Sequence, residues 1–335
     1  MHKLSVFVGL FFLTGCHPGN TPDVSGIRVD AAIARFDKDF FAADSTRLVP
    51  ALDAVQAKYP WFFTDFVRNI VIGGNTDTLK NVPLIIESYI THSRPLYDSV
   101  LLRFSSLDNV SRQLQTGFRY VKYYFPAYNL PRPVAYSGLI GDPSIALMPQ
   151  AMAIGLQMYL GANFSAYNTP EAIDKFPQYI SRRFAPEYIS VNCLQNIALD
   201  IYPDKPPGQS LIEQIIEKGK QWWLAGKFLP GVADTLQTGY TAKQLEWCNK
   251  NEGLIWNFII QNNDVFTTEP TTIQTFIGES PKTDGMPDQS PGNIGQWVGW
   301  QIVQKFAKDH DNLSVPQVLQ TPARKLFDEA KYKPR

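Results

Sequence analysis

The chain has 335 residues, 44% apolar and 13% aromatic, with 31 basic and 31 acidic side chains and a formal net charge of zero. That apolar content supports a large buried core and excludes a disordered chain. The balanced charge, without a long basic run, leaves no electrostatic footprint for nucleic acid.

The first residues read as a leader. Lys3 gives a basic start, and Leu4 to Leu13 is apolar apart from Ser5 and Gly9. This run falls short of the roughly 20 residues that span a bilayer as a helix. A basic start, a short apolar stretch and small residues before a cut predict a secretory signal over residues 1–15. Leu13-Thr14-Gly15-Cys16 resembles a bacterial lipobox, in which the cysteine is acylated and the chain is cut before it. Cys16 then becomes the mature N-terminus and holds the protein to the lipid bilayer. Each buried methylene contributes about 0.8 kcal/mol, so several acyl chains anchor stably where one does not. A plain cleaved signal with an incidental cysteine is the alternative. Residues 16–25, rich in Pro and Gly, predict a tether.

Beyond the tether, 28–70 predicts two or three helices, with Ile33, Phe36, Phe40 and Phe41 at helical spacing and a second stripe at Leu48, Leu52 and Val55. Residues 82–103 predict a helix interrupted at Pro95. Residues 107–125 predict another, stepping through Val110, Leu114, Phe118, Val121 and Phe125. The character changes at Pro131: 134–138, 144–148 and 153–160 are short apolar runs between turn residues and predict strands of a small sheet. From Phe176 the pattern is helical to the end. Ser210 with Glu213, and Thr241 with Gln244, are capping boxes. Behind the first, Ile212, Ile215, Ile216, Gly219 and Trp222 face one way, and Glu213, Glu217 and Lys220 another. The helix opened by Thr241 is apolar on two sides, with Trp247, Leu254 and Phe258 opposite Leu245, Cys248, Ile255 and Ile259, and predicts a buried helix. Glu252 falls within its apolar stripe and requires a partner. In the segment from Pro291 to Val303, Gly292, Gly295 and Gly299 fall on one side. Glycine disfavours a helix by about 0.5–1 kcal/mol relative to alanine, so three of them predict a second element packed on that backbone. Trp297 and Trp300 flank the contact.

The chain carries few signatures of catalytic chemistry. Of four histidines only His92 and His310 fall in the body, and no His-Glu-x-x-His is present. There is no Gly-x-Ser-x-Gly, no Ser-x-x-Lys, no P-loop and no dinucleotide fingerprint. Cys193 and Cys248 lack metal-ligand spacing and read as buried thiols in preference to a disulfide. Glu213, Glu217 and Asp234 could form a glycosidase pair, but carboxylates on helix surfaces are usually solvated. No catalytic residue, metal ligand or cofactor is assigned.

Several segments together resemble the GldB-type gliding-motility lipoproteins of Bacteroidetes. They are the lipobox, Ile216-Glu217-Lys218-Gly219-Lys220, Gly239-Tyr240-Thr241 leading to Trp247, Asn251-Glu252, Ile255-Trp256, Ser280-Pro281, and Pro291-Gly292 running through Gly295, Trp297 and Gly299-Trp300 to Val303. The resemblance covers most of the mature chain and is most specific in the last block. It implies an envelope lipoprotein associated with the gliding and type IX secretion machinery, with other proteins of that machinery as partners, on the outer membrane facing the periplasm. A more distant likeness to zinc peptidases implies a zincin-like scaffold. The preceding helix, through Asn192, Cys193 and Asn196, carries no histidine, and Glu217 alone could match the later acidic residue.

The sequence therefore predicts an α+β fold, predominantly helical, with helices around a small sheet. It predicts one globular domain over 26–335 with an internal boundary near 131. The function it predicts is that of a non-catalytic, lipid-anchored motility component. The alternatives are a divergent envelope metallopeptidase and a substrate-binding lipoprotein.

Overall fold

The computed structural model describes residues 21–74, 81–206, 208–262 and 265–334. Leu13, Thr14, Gly15 and Cys16 lie outside the described residues. Pro22 and Val24, expected to belong to a tether, already rest on the body: Val24 is buried, and the Tyr120 hydroxyl donates to the Pro22 carbonyl at 3.3 Å.

Ile33 does not belong to a helix. The chain there is extended, and Ala34 bridges to Val134. Helices Phe36–Phe41 (α1), Leu48–Lys58 (α2) and Phe63–Phe66 (α3, continued as a wide turn over Val67–Val71) follow. Phe36 is sealed at their meeting point, with the ring centroids of Phe40, Tyr59, Phe62 and Phe66 4.8–5.2 Å away. Such aromatic pairs contribute about 0.5–1.5 kcal/mol each beyond the area they bury. Asp37 is fully buried. Arg35 neutralises it with two hydrogen bonds of 2.8 and 2.6 Å, and also donates to the Phe104 carbonyl at 2.8 Å.

Val82–Arg103 (α4) runs unbroken through Pro95, contrary to the predicted interruption. Pro95 removes the donor for the Thr91 carbonyl, but both residues are exposed, so water can take that place. Asp108–Tyr124 (α5) buries Val110, Leu114, Phe118 and Val121 as its spacing predicts.

The sheet has three strands, Arg132–Tyr136 (β1), Ile145–Leu147 (β2) and Ala151–Gly155 (β3), in the order β1-β3-β2. β1 runs parallel to β3 and β2 antiparallel to it. The third strand is shorter than predicted. After Gly155 the chain turns through a single 3-10 turn, Leu156–Met158, whose side chains are all buried. A run buried on every side has no alternation to mark where extension stops.

The rest is helical: Pro170–Lys175 (α6), Gln178–Ser181 (α7), Ile189–Ile201 (α8), Leu211–Phe228 (α9), Asp234–Thr238 (α10), Ala242–Lys250 (α11), Glu252–Asn262 (α12), Pro270–Ile277 (α13), Ile294–Asp309 (α14), Val315–Gln320 (α15) and Ala323–Ala330 (α16). Both predicted capping boxes are formed, and Ser314 with Gln317 makes a third that the sequence reading passed over. The helix opened by Thr241 does not continue to Ile259. Asn251 leaves helical geometry, and its side-chain amide takes the Trp247 carbonyl at 2.8 Å, which separates α11 from α12. The helix is also not buried all round: Cys248, Ile255 and Ile259 are sealed, whereas Leu254 is 51% exposed. Cys193 and Cys248 are separate buried thiols. Burial pushes the Cys248 thiol up to about 12, and that of Cys193 further. Helix α9 is the axis of this layer, with α8, α13, α14 and α16 packed around it.

Candidate functional site

Helices α9 and α14 meet backbone to backbone. A Cβ added to Gly219 would stand 2.1 Å from the Gly299 carbonyl carbon, and one on Gly299 would stand 1.9 Å from the Ile215 oxygen. The predicted second element is therefore α9. The three glycines serve three contacts. Gly292 precedes α14 and lies against the Ser280 carbonyl, Gly295 faces Phe276 and Ile215, and Gly299 touches α9. Trp297 is sealed, with its indole N–H unpartnered among the described residues, while Trp300 meets Trp222 edge to face at 6.3 Å.

Glu217 and Lys220 are not on a solvated face, as the helical wheel suggested. An axis surrounded by four helices leaves no such face there. Lys220 is completely buried, and Glu217 is 8% exposed. The ammonium of Lys220 donates to Glu217 Oε1 at 2.9 Å, to the Thr321 carbonyl at 2.7 Å and to the Leu319 carbonyl at 3.2 Å. The Tyr202 hydroxyl donates to the other Glu217 oxygen. Burial pulls the Lys220 ammonium below its ordinary pKa, against the pull of Glu217, and raises the Tyr202 phenol with help from Glu217. The cation also meets the last carbonyls of α15, where a helix terminus favours positive charge. The cluster fastens the C-terminal helices to α9. It was invisible in sequence because its two carbonyl acceptors lie about a hundred residues away.

The other sequence candidates divide between packing and surface. Trp247 is half-buried on α11. Glu252 has the partner it required, the Tyr332 hydroxyl at 2.6 Å, and Trp256 stacks edge to face on Tyr332 at 5.3 Å. Glu252, Tyr332 and Trp300 line a groove of about 920 Å³ between the end of α9, the 229–234 loop, α14 and the C-terminal residues. Lys227, Lys305, Lys308 and Lys333 surround it, and Lys227 stands 4.9 Å above the Trp223 ring. Glu217 and Trp247 do not reach the groove.

A smaller pocket of about 260 Å³ opens where α8, α9, the Gly239 turn and the start of α14 meet. Arg183 grips Glu279 through two contacts of 3.3 and 3.2 Å. Asp204 accepts from Lys218 and from Gln221, each at 2.6 Å. Asn293, at the head of α14, is held left-handed (φ 47°), and its side-chain oxygen receives the buried Tyr240 hydroxyl at 3.0 Å. A non-glycine residue in that conformation is uncommon and persists where its surroundings fix it. Sequence reasoning missed this pocket. Its one local signal was Pro-Gly-Asn just before a helix. Among the described residues no group of three or more His, Cys, Asp or Glu could hold a metal ion, and no helix is long and apolar enough to cross a membrane.

Compared with known proteins, the chain matches over residues 18–334 the family model described as gliding motility protein GldB. No curated protein and no solved structure matches it.

Proposed function

The chain belongs to the GldB family of gliding-motility proteins, and we propose that it acts there as a lipid-anchored, non-catalytic component that binds other envelope proteins. It hangs from acylated Cys16 on the outer membrane and faces the periplasm. The observation that carries this reading is the commitment of Glu217, the one acidic residue that could match a peptidase scaffold. It is tied to Lys220 and Tyr202 inside the core, and the neighbouring helix α8 offers Asn192, buried Cys193 and Asn196. That supports a scaffold used for binding.

The groove beside Trp223 and Trp300 is the partner surface in this reading, and its lysines favour a segment carrying carboxylates. The test is complementation of a deletion strain in a gliding host. Lys305→Glu with Lys308→Glu reverses the charge on the exposed rim without touching the core. The doubly substituted protein remains in the membrane fraction at wild-type abundance and fails to restore gliding. Full restoration would overturn the assignment of the groove.

A further inference from the structure

We propose that the 260 Å³ pocket between α8, α9 and the start of α14 binds the hydroxyl-rich end of a neutral saccharide. Four glutamines line it, and each has its NH2 fixed by a group that can only accept. Gln195 donates to the Gln237 carbonyl at 2.7 Å, Gln221 to the Asp204 carboxylate at 2.6 Å, Gln237 to the Trp222 carbonyl at 2.6 Å, and Gln296 to the Ile277 carbonyl at 2.9 Å. The orientation of each amide is therefore determined. None of the four side-chain oxygens accepts a hydrogen bond among the described residues. Gln221 and Gln237 are only 8% and 5% exposed, yet neither side-chain oxygen is fully sealed; Gln237 lines the larger groove as well as this pocket.

The site thus presents acceptors and calls for a ligand that donates. Charge selects among donors. The pocket's cations and anions are paired, Arg183 with Glu279 and Lys218 with Asp204. A cationic ligand meets Arg183 and Lys218, and an anionic one meets the glutamine oxygens and two carboxylates. Sugar hydroxyls donate to the amide oxygens and also accept from the two cations. Trp222 and Tyr188, both half-buried, also line the pocket and supply aromatic rings for the apolar C–H groups of a pyranose. The volume lies below the roughly 300–1,000 Å³ of drug-sized sites, which limits the ligand to a ring or two. This inference does not depend on the groove or on its partner.

The test uses the full-length acylated protein in phospholipid nanodiscs, without sugar-based detergent. Cellobiose, mannobiose and diacetylchitobiose are titrated separately, with saturation-transfer NMR and tryptophan emission as readouts. At least one binds saturably with a Kd of about 1 mM or tighter. Gln296→Leu weakens it about tenfold with the melting temperature unchanged, and Gln195→Leu serves in its place if that variant does not fold. Cationic chitosan dimer and anionic glucuronate bind at least tenfold more weakly. The proposal is overturned by no saturable binding of any neutral disaccharide up to about 50 mM, by undiminished binding to a folded glutamine variant, or by equal binding of a charged sugar.

Discussion

Replacing Gly299 with alanine places one methyl group at the tightest point of the α9–α14 contact. Taken alone, the change should stabilise a helix, because alanine is favoured over glycine by about 0.8–1.0 kcal/mol. The contact reverses the sign. The new carbon would lie 1.9 Å from the Ile215 oxygen and 2.7 Å from its carbonyl carbon, and both are backbone atoms that cannot swing away. Ordinary non-bonded separation is about 3.5 Å, so the helices must part by roughly 1.5 Å. That loosens packing around Ile215, Ile216, Val298 and Ile302, all sealed. Overpacking of this kind costs about 1–3 kcal/mol, occasionally more, and a net loss of about 2 kcal/mol is expected. Gly219→Ala should lose a similar amount, since its new carbon meets the Gly299 backbone at 2.1 Å. The double variant should lose less than the two losses added, because helices already parted admit the second methyl. Urea unfolding followed by tryptophan fluorescence measures all three. A Gly299→Ala protein as stable as wild type would refute the backbone contact.

Lys220→Met leaves Glu217 buried without its cation and should lose about 3–5 kcal/mol, much of it recovered by adding Glu217→Leu; urea midpoints of the single and double variants decide. Cys193 and Cys248 should resist a thiol reagent at pH 8 in the native state and react only in denaturant, because burial holds both thiols protonated; rapid labelling of the folded protein would contradict their burial. The Glu213 carboxyl is held below its usual 4.5, first by the Ser210 hydroxyl and then by the Ser210 amide. A depressed carboxyl stabilises the fold above 4.5 and loses that contribution as pH falls through its folded value. The advantage of wild type over Glu213→Gln should therefore be larger at pH 7 than at pH 3, as read by urea midpoints.

The parts of this fold legible in sequence were those written locally. Val110 to Val121 marks its helix by spacing alone, and Ser210-Leu-Ile-Glu213 marks a helix start in four residues. The glycines at 295 and 299 announced a close neighbour without saying which. What could not be read depends on distant partners. Lys220 looks like a surface lysine until the carbonyls of Leu319 and Thr321 are brought to it. Pro95 looks like a helix breaker until its exposure is known. Gln195, Gln221, Gln237 and Gln296 look like ordinary polar residues until four helices, α8, α9, α10 and α14, bring them to one pocket. Asn251 hid a helix break because the apolar spacing on either side stays in phase.

The proposed lipid anchor is tested most directly at Cys16. Cys16→Ser, expressed from the native locus in a gliding host, should move the protein from the membrane to the soluble envelope fraction and abolish gliding. A substituted protein still held by the membrane, or cells that glide at the wild-type rate with the protein released, would contradict it.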